Sequence, residues 1–184
     1  MLGFGLTTFL LNLANAGVYH LNSMILAMGI CYGGCAQIVA GIMEWTRGNL
    51  FGMIAFISYG FFWWSLVFTI TFPTLGYLKM PDDNAFACYL FIWGLFSLIM
   101  LVGTFHKRLP LVLSWVFFTV VILFALFAAA HWTGSTAVKR AAGIEGVICG
   151  LSAIYLAAAE ILNEFSGRTV LYVGARLPVP VPKK

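Results

Sequence analysis

Long apolar segments recur along this chain, and they constrain its fold more than any other feature. Six can be delimited, at residues 3–19, 23–43, 50–70, 85–105, 109–130 and 141–163. An α-helix of this length can cross a hydrocarbon core of roughly 30 Å. Backbone polar groups need internal partners in lipid, and uninterrupted apolar runs of this kind satisfy them as helices. The pattern therefore predicts an all-α membrane protein with six transmembrane helices.

The composition agrees with this prediction and leaves no room for a second folded domain. Only 9% of the 184 residues are charged, whereas soluble domains carry about 25%, and the mean hydropathy is +0.98. The N-terminus lacks the basic region and cleavage site of a signal peptide, so we expect the first helix to belong to the working protein. We predict a transmembrane domain over 1–163 and a C-terminal tail over 164–184, whose proline-rich end cannot be helical.

The distribution of lysine and arginine predicts how the helices are oriented. Seven fall in the loops after the second and fourth segments and in the tail, which share one side of the membrane: Arg47, Lys107, Arg108, Arg168, Arg176, Lys183 and Lys184. Three fall on the other side: Lys79, Lys139 and Arg140. Cytoplasmic loops carry the excess of positive charge, so both termini are expected in the cytoplasm.

The first segment carries no charge but has a polar stripe. At about 100° per helical residue, five side chains fall within an arc of roughly 80°: Phe4, Thr8, Asn12, Asn15 and Tyr19. Such a stripe has two interpretations. It bonds a neighbouring helix and holds the bundle together, or it lines a polar pathway through the membrane. Gln37 and Tyr59, predicted at similar depth in the second and third helices, favour the pathway without excluding the first interpretation.

Two carboxylates lie inside the last segment, and ionisable groups within a membrane are candidates for function. For Glu145 the alternatives are a cap at the helix N-terminus, where the helix dipole favours an anion, and a role in proton coupling. For Glu160 they are a brace to the region of Asn163 or Arg168 and the same coupling role.

No pattern in the chain indicates catalysis, a cofactor or nucleic-acid binding. The three histidines fall in loops or at segment ends, with no serine, cysteine or aspartate beside them to suggest a catalytic triad. Cys31 and Cys35 are one helical turn apart, but no further ligand completes a metal site. The basic residues form no stripe that could follow a phosphate backbone. We therefore expect neither an enzyme nor a metalloprotein.

Several motifs resemble one known family closely. Residues 2–8 read Leu-Gly-Phe-Gly-Leu-Thr-Thr, residues 11–17 Leu-Asn-Leu-Ala-Asn-Ala-Gly, and residues 27–37 Ala-Met-Gly-Ile-Cys-Tyr-Gly-Gly-Cys-Ala-Gln. Residues 58–60, 148–156 and 160–171 continue the match as Ser-Tyr-Gly, Ile-Cys-Gly-Leu-Ser-Ala-Ile-Tyr-Leu and Glu-Ile-Leu-Asn-Glu-Phe-Ser-Gly-Arg-Thr-Val-Leu. In this order they resemble the acetate uptake transporter family, which includes bacterial acetate/succinate permeases of the YaaH type.

The resemblance implies a six-helix protomer in a homo-hexameric ring within the inner membrane, with one pathway in each protomer. It implies passage of acetate and succinate, coupled to protons or through a channel, with no cofactor. Family members narrow at a hydrophobic constriction, which corresponds here to Phe4, Tyr59 and Val120. The family usually has leucine where this chain has Val120, so lactate is a further candidate substrate. Thr8, Asn12, Asn15 and Gln37 would line the pathway.

Two other functions fit the same residues. A hexameric channel for small neutral solutes, such as urea or short amides, would share the six-helix plan but need no proton coupling. A structural membrane protein would use the polar stripe of the first helix only for helix–helix contacts.

Overall fold

The computed structural model describes residues 1–174, which form six helices joined by short turns. They are α1 (Leu2–Asn15), α2 (Ser23–Thr46), α3 (Leu50–Thr74), α4 (Asp83–His106), α5 (Leu111–Thr133) and α6 (Thr136–Ser166). Helices α2 to α6 have the length and composition of membrane spans, and α1 is a shorter apolar helix. The predicted all-helical architecture is confirmed. The proline-rich end of the tail lies outside the described residues.

Helix α1 ends four residues earlier than the predicted segment 3–19. Gly17 adopts a positive φ of 92°, and the Val18 N–H donates to the Leu13 carbonyl over 3.0 Å. This is the reversal by which glycine commonly closes a helix. With 14 residues, α1 extends only about 21 Å at 1.5 Å per residue, and Tyr19 lies beyond it. The prediction that Tyr19 shares the helical stripe was wrong.

Helix α6 begins earlier than predicted, and this changes the interpretation of Glu145. Gly134 closes α5 with a φ of 64°, and the Ser135 hydroxyl caps α6 by accepting from the Val138 N–H over 3.3 Å. The helix therefore starts at Thr136 instead of residue 141. Glu145 is its tenth residue, roughly 14 Å along the axis. A role as an N-terminal cap is ruled out, because capping acts within the first turn.

The middle of α2 is a π-helix over Gly29–Ala36, and its glycines receive side chains from α3. A Cβ on Gly33 would lie 2.8 Å from Trp63 Cγ, and one on Gly29 would lie 2.7 Å from Val67 Cγ2. Only glycine leaves room for such contacts, and small residues allow membrane helices to approach closely. The wide turn of α2 thus seats the indole of Trp63 against the helix backbone.

The six helices enclose a central space because two of them stay apart. Helix α1 packs between α6 and α2, α2 packs on α3, and α5 packs between α4 and α6. The backbones of α3 and α4 approach each other closely at few points, and aromatic rings lie between the two helices. The Phe62 ring centroid lies 5.2 Å from that of Trp93 and 6.0 Å from that of Tyr89. The pathway candidates therefore surround an interior that aromatic side chains partly fill.

The chain after α6 returns to the bundle. Asn163 Oδ1 accepts from the N–H groups of Val170 and Leu171 over 2.6 and 2.9 Å, and its Nδ2 donates to the Leu171 carbonyl over 2.8 Å. The Leu111 N–H then donates to the Gly174 carbonyl over 2.9 Å. Because the residue before α5 offers no side-chain cap, this segment satisfies a backbone donor at the start of that helix.

Candidate transport pathway

A cavity of about 360 Å³ lies at the centre of the bundle between α1, α3, α4 and α5. Four residues of the predicted stripe line it from α1: Phe4, Thr8, Asn12 and Asn15. Helix α3 contributes Phe62 and Trp63, and α5 contributes Val120 and Leu123. The cavity thus has one polar strip, from α1, on a wall that is otherwise mostly apolar. Its size is that of a small-molecule site.

The polar side chains of α1 bond within their own helix. Asn12 Nδ2 donates to the Thr8 carbonyl over 2.9 Å, and Asn15 Nδ2 donates to Asn12 Oδ1 over 3.1 Å. Among residues 1–174, neither amide bonds another helix, and the buried Thr8 hydroxyl has no partner. Asn12 instead packs on Gly146 of α6, where an added Cβ would overlap its side chain. Within the described residues, Asn12 and Asn15 therefore do not form the hydrogen bonds between helices on which the structural interpretation depends.

A second, much smaller cavity adjoins the first. Its volume is about 20 Å³, which is room for one water molecule. Phe4 and Val120 line both cavities, and Tyr59 lines the smaller one. The ring centroids of Phe4 and Tyr59 are 5.7 Å apart. All three residues expected at a constriction therefore line the smaller cavity.

Tyr59 is held in place by a residue that the sequence did not reveal. Its hydroxyl lies 2.8 Å from Ser97 Oγ. Ser97 uses its single proton for the Trp93 carbonyl, 2.7 Å away, so Tyr59 is the donor to Ser97. This bond takes the only proton of the Tyr59 hydroxyl, so the hydroxyl does not donate to a molecule in the small cavity that Tyr59 lines. One serine within the aromatic face of α4 was the only indication in the sequence.

Gln37 lies on the other side of Phe4 from the asparagines. It lines the small cavity, is buried, and donates from Nε2 to the Gly33 carbonyl over 2.6 Å. The expectation that it shares the depth of the asparagine stripe is therefore not met. It lies in the part of α2 that directly follows the π-helix.

Charged residues of the described chain reach the large cavity only at its mouth. His131 Nδ1 and Asp83 Oδ1 are within hydrogen-bonding distance at 2.8 Å, and both residues line the cavity together with Lys139. Sequence reasoning assigned no role to His131 and placed Lys139 in a loop. Their approach depends on the antiparallel contact of α4 with α5 and on the early start of α6, which periodicity does not reveal.

The two candidate carboxylates occupy different environments. Both carboxyl oxygens of Glu145 are buried and have no hydrogen-bond partner within residues 1–174. Glu160 is exposed, and the described residues contain no ion pair between it and Arg168. Asn163 bonds the chain after α6. The expected brace of Glu160 to these two residues is therefore not formed.

Comparisons with known proteins agree with the motifs. The chain matches the GPR1/FUN34/yaaH family over residues 1–177. It is 50% identical to the succinate-acetate/proton symporter SatP of Escherichia coli K12 over 95% of this chain and 92% of that protein. An uncharacterized protein of Methanothermobacter thermautotrophicus is 47% identical over 93% and 86%. A solved structure of the bacterial acetate channel SatP superimposes with a TM-score of 0.91, at 50% identity and 94% coverage of both chains. This chain belongs to the GPR1/FUN34/yaaH family.

Proposed function

We propose that this protein carries acetate and related short carboxylates, including succinate, across a membrane together with protons, and that it is not an enzyme. One observation carries the proposal. A central cavity lined by amide side chains shares Phe4 and Val120 with a much smaller cavity, in a chain half identical to a succinate-acetate/proton symporter over nearly its whole length. Lactate is a further candidate because of Val120.

The lining suits a small amphipathic anion. The amides of Asn12 and Asn15 and the hydroxyl of Thr8 offer hydrogen-bond donors to a carboxylate, while Phe4 and Val120 contact a methyl group. The side chains of Phe4, Tyr59 and Val120 are uncharged, so a hydrated ion passing between them would have to lose water without an ionic partner from these three residues. Binding would be weak, about 4 kcal/mol for a millimolar site, and weak binding allows fast release.

We further propose a homo-hexamer with one pathway in each protomer, placed in the inner membrane with both termini in the cytoplasm. The resemblance of the motifs supports the assembly. The excess of lysine and arginine on one side, seven residues against three, supports the orientation. The contact of His131 with Asp83, near Lys139, then marks the outer mouth of the pathway, and Gln37 lies towards the cytoplasm.

Uptake into liposomes tests the function. We expect the purified protein to raise the initial rates of radiolabelled acetate and succinate uptake above those of protein-free liposomes, which report permeation of the free acids. An inside-alkaline pH gradient should raise protein-dependent succinate uptake further. Equal rates with and without protein for both acids, at both pH conditions, would contradict the proposal. Protein-dependent flux of urea that ignores the gradient would favour the neutral-solute channel.

A further inference from the structure

Glu145 is an acid in a place where an ionised acid is costly. It lies in the interior of α6, and both of its carboxyl oxygens are buried without a partner in the described chain. A buried carboxylate needs a counter-charge or several donors to offset its lost hydration. The described conformation offers neither, so it accommodates the protonated acid much better than the anion.

The helices packed against α6 supply no counter-charge at this level. They are α1 and α5. Residues 2–15 of α1 contain no titratable side chain, and the single one in α5 is His131, in its last turn. On α6 itself, Lys139 and Arg140 precede Glu145 by more than a turn, and the buried thiol of Cys149 follows one turn later. Glu145 has no ion pair within residues 1–174.

The same turn of α6 touches the pathway. Gly146 supports the side chain of Asn12, and no larger residue would fit without displacing it. Asn12 lines the large cavity and accepts from Asn15. Ionisation of Glu145 requires water to enter or α6 to shift, and either change acts on a helix surface that positions Asn12. Protonation and the pathway are thus linked through two adjacent residues.

We propose that Glu145 is the proton-binding residue of coupled transport. Its carboxylate accepts one proton from water on one side of the membrane and returns it to water on the other side. The buried, unpartnered conformation is the protonated one, and loss of the proton favours a hydrated arrangement of α6. Glu160, exposed near the far end of α6, is not part of this step. The inference rests on the proposed carboxylate transport.

The test compares Glu145→Gln with the matched variant Glu160→Gln in liposomes. Succinate is the probe, because its dianion crosses lipid poorly. Glu145→Gln should lose the stimulation of succinate uptake by an inside-alkaline gradient while retaining succinate exchange at equal pH on both sides. Glu160→Gln should behave as wild type, and Glu145→Asp should recover the stimulation. Full stimulation in Glu145→Gln would overturn the inference. Wild-type protein without succinate flux would instead contradict the proposed function.

A second measurement does not depend on a variant that folds. Dicyclohexylcarbodiimide reacts with protonated carboxyl groups in apolar surroundings. We expect it to modify Glu145 of the wild-type protein, as located by peptide mass spectrometry, and to abolish gradient-driven succinate uptake in proportion to labelling. An unlabelled Glu145, or full labelling with unchanged gradient-driven uptake, would overturn the inference.

Discussion

Val120 and Phe4 are the two residues that line both the large and the small cavity. Val120 is 2% exposed, and its two methyl groups leave more room opposite Phe4 and Tyr59 than a leucine would. An aliphatic side chain at such a point discriminates by size, and one methylene in an apolar site is worth about 1–3 kcal/mol. This position is therefore expected to influence which carboxylates pass.

We predict that Val120→Leu lowers lactate uptake about tenfold, the equivalent of roughly 1.4 kcal/mol, while acetate uptake changes little. The added methylene narrows the passage for the larger acid. Initial rates of both acids in liposomes measure the ratio. Val121→Leu is the matched control, because Val121 is half-buried against the core and lines neither cavity. An unchanged ratio of lactate to acetate uptake in Val120→Leu would exclude Val120 from size selection.

At the scale of helices, the segment after α6 forms hydrogen bonds with the start of α5. One side chain, Asn163, holds it with three hydrogen bonds, and the segment in turn provides carbonyl acceptors to the first residues of α5. The start of α5 would otherwise leave backbone N–H groups without partners. The beginning of the tail is thus joined to the helices instead of extending freely from them.

We predict that Asn163→Ala lowers the free energy of unfolding by about 2–3 kcal/mol, at about 1 kcal/mol for each hydrogen bond. The midpoint of thermal unfolding in detergent should fall by roughly 5 °C or more. Asn163→Asp keeps the oxygen acceptor for two of the bonds and should lose less. If the alanine and aspartate variants both unfold at the wild-type temperature, the contact contributes nothing to stability.

At the scale of the whole molecule, the packing of α1 bears on whether its asparagines serve transport or only helix–helix contacts. Helix α1 is too short to cross a membrane alone, and it packs between α6 and α2. Glycines mediate this contact: a Cβ on Gly5 would lie 2.9 Å from Ile154 Cγ1, and one on Gly150 would lie 2.8 Å from the Phe9 nitrogen. Asn12 and Asn15 line the large cavity, so close packing holds α1 while its polar side chains remain on the cavity wall.

We predict that the double variant Asn12→Ala, Asn15→Ala assembles normally but loses most of its acetate and succinate flux. The lost bonds lie within α1 and are worth about 1 kcal/mol each, too little to dissociate the bundle. Native mass spectrometry of detergent-solubilised protein reports the oligomer, and liposome uptake reports the flux. Thr7→Val is the control, since Thr7 is buried away from the cavity. Dissociation of the double variant would instead support the structural interpretation.

Local chemistry made much of this architecture predictable. Hydrocarbon requires apolar helices of a given length, so long uncharged segments sufficed to predict six apolar helices. Five of them have the length of membrane spans, and the first is shorter than predicted. The angular spacing of Phe4, Thr8, Asn12 and Asn15 predicted that they share one face of α1. Helix ends were less predictable, because they depend on single residues. Gly17 shortened α1, and the Ser135 cap moved Glu145 from a terminus into the interior of α6.

The sequence by itself determined the class of protein, its helices and the polar face of α1, because these follow from periodicity and from the cost of polar groups in lipid. Only the tertiary structure decided which residues from different helices meet. It brought Val120 and Tyr59 to Phe4, joined Tyr59 to Ser97 by a hydrogen bond, and separated Gln37 from the asparagines. It also left the carboxyl oxygens of Glu145 without a hydrogen-bond partner among residues 1–174. These relations depend on how helices distant in sequence pack together, and no local pattern encodes that packing.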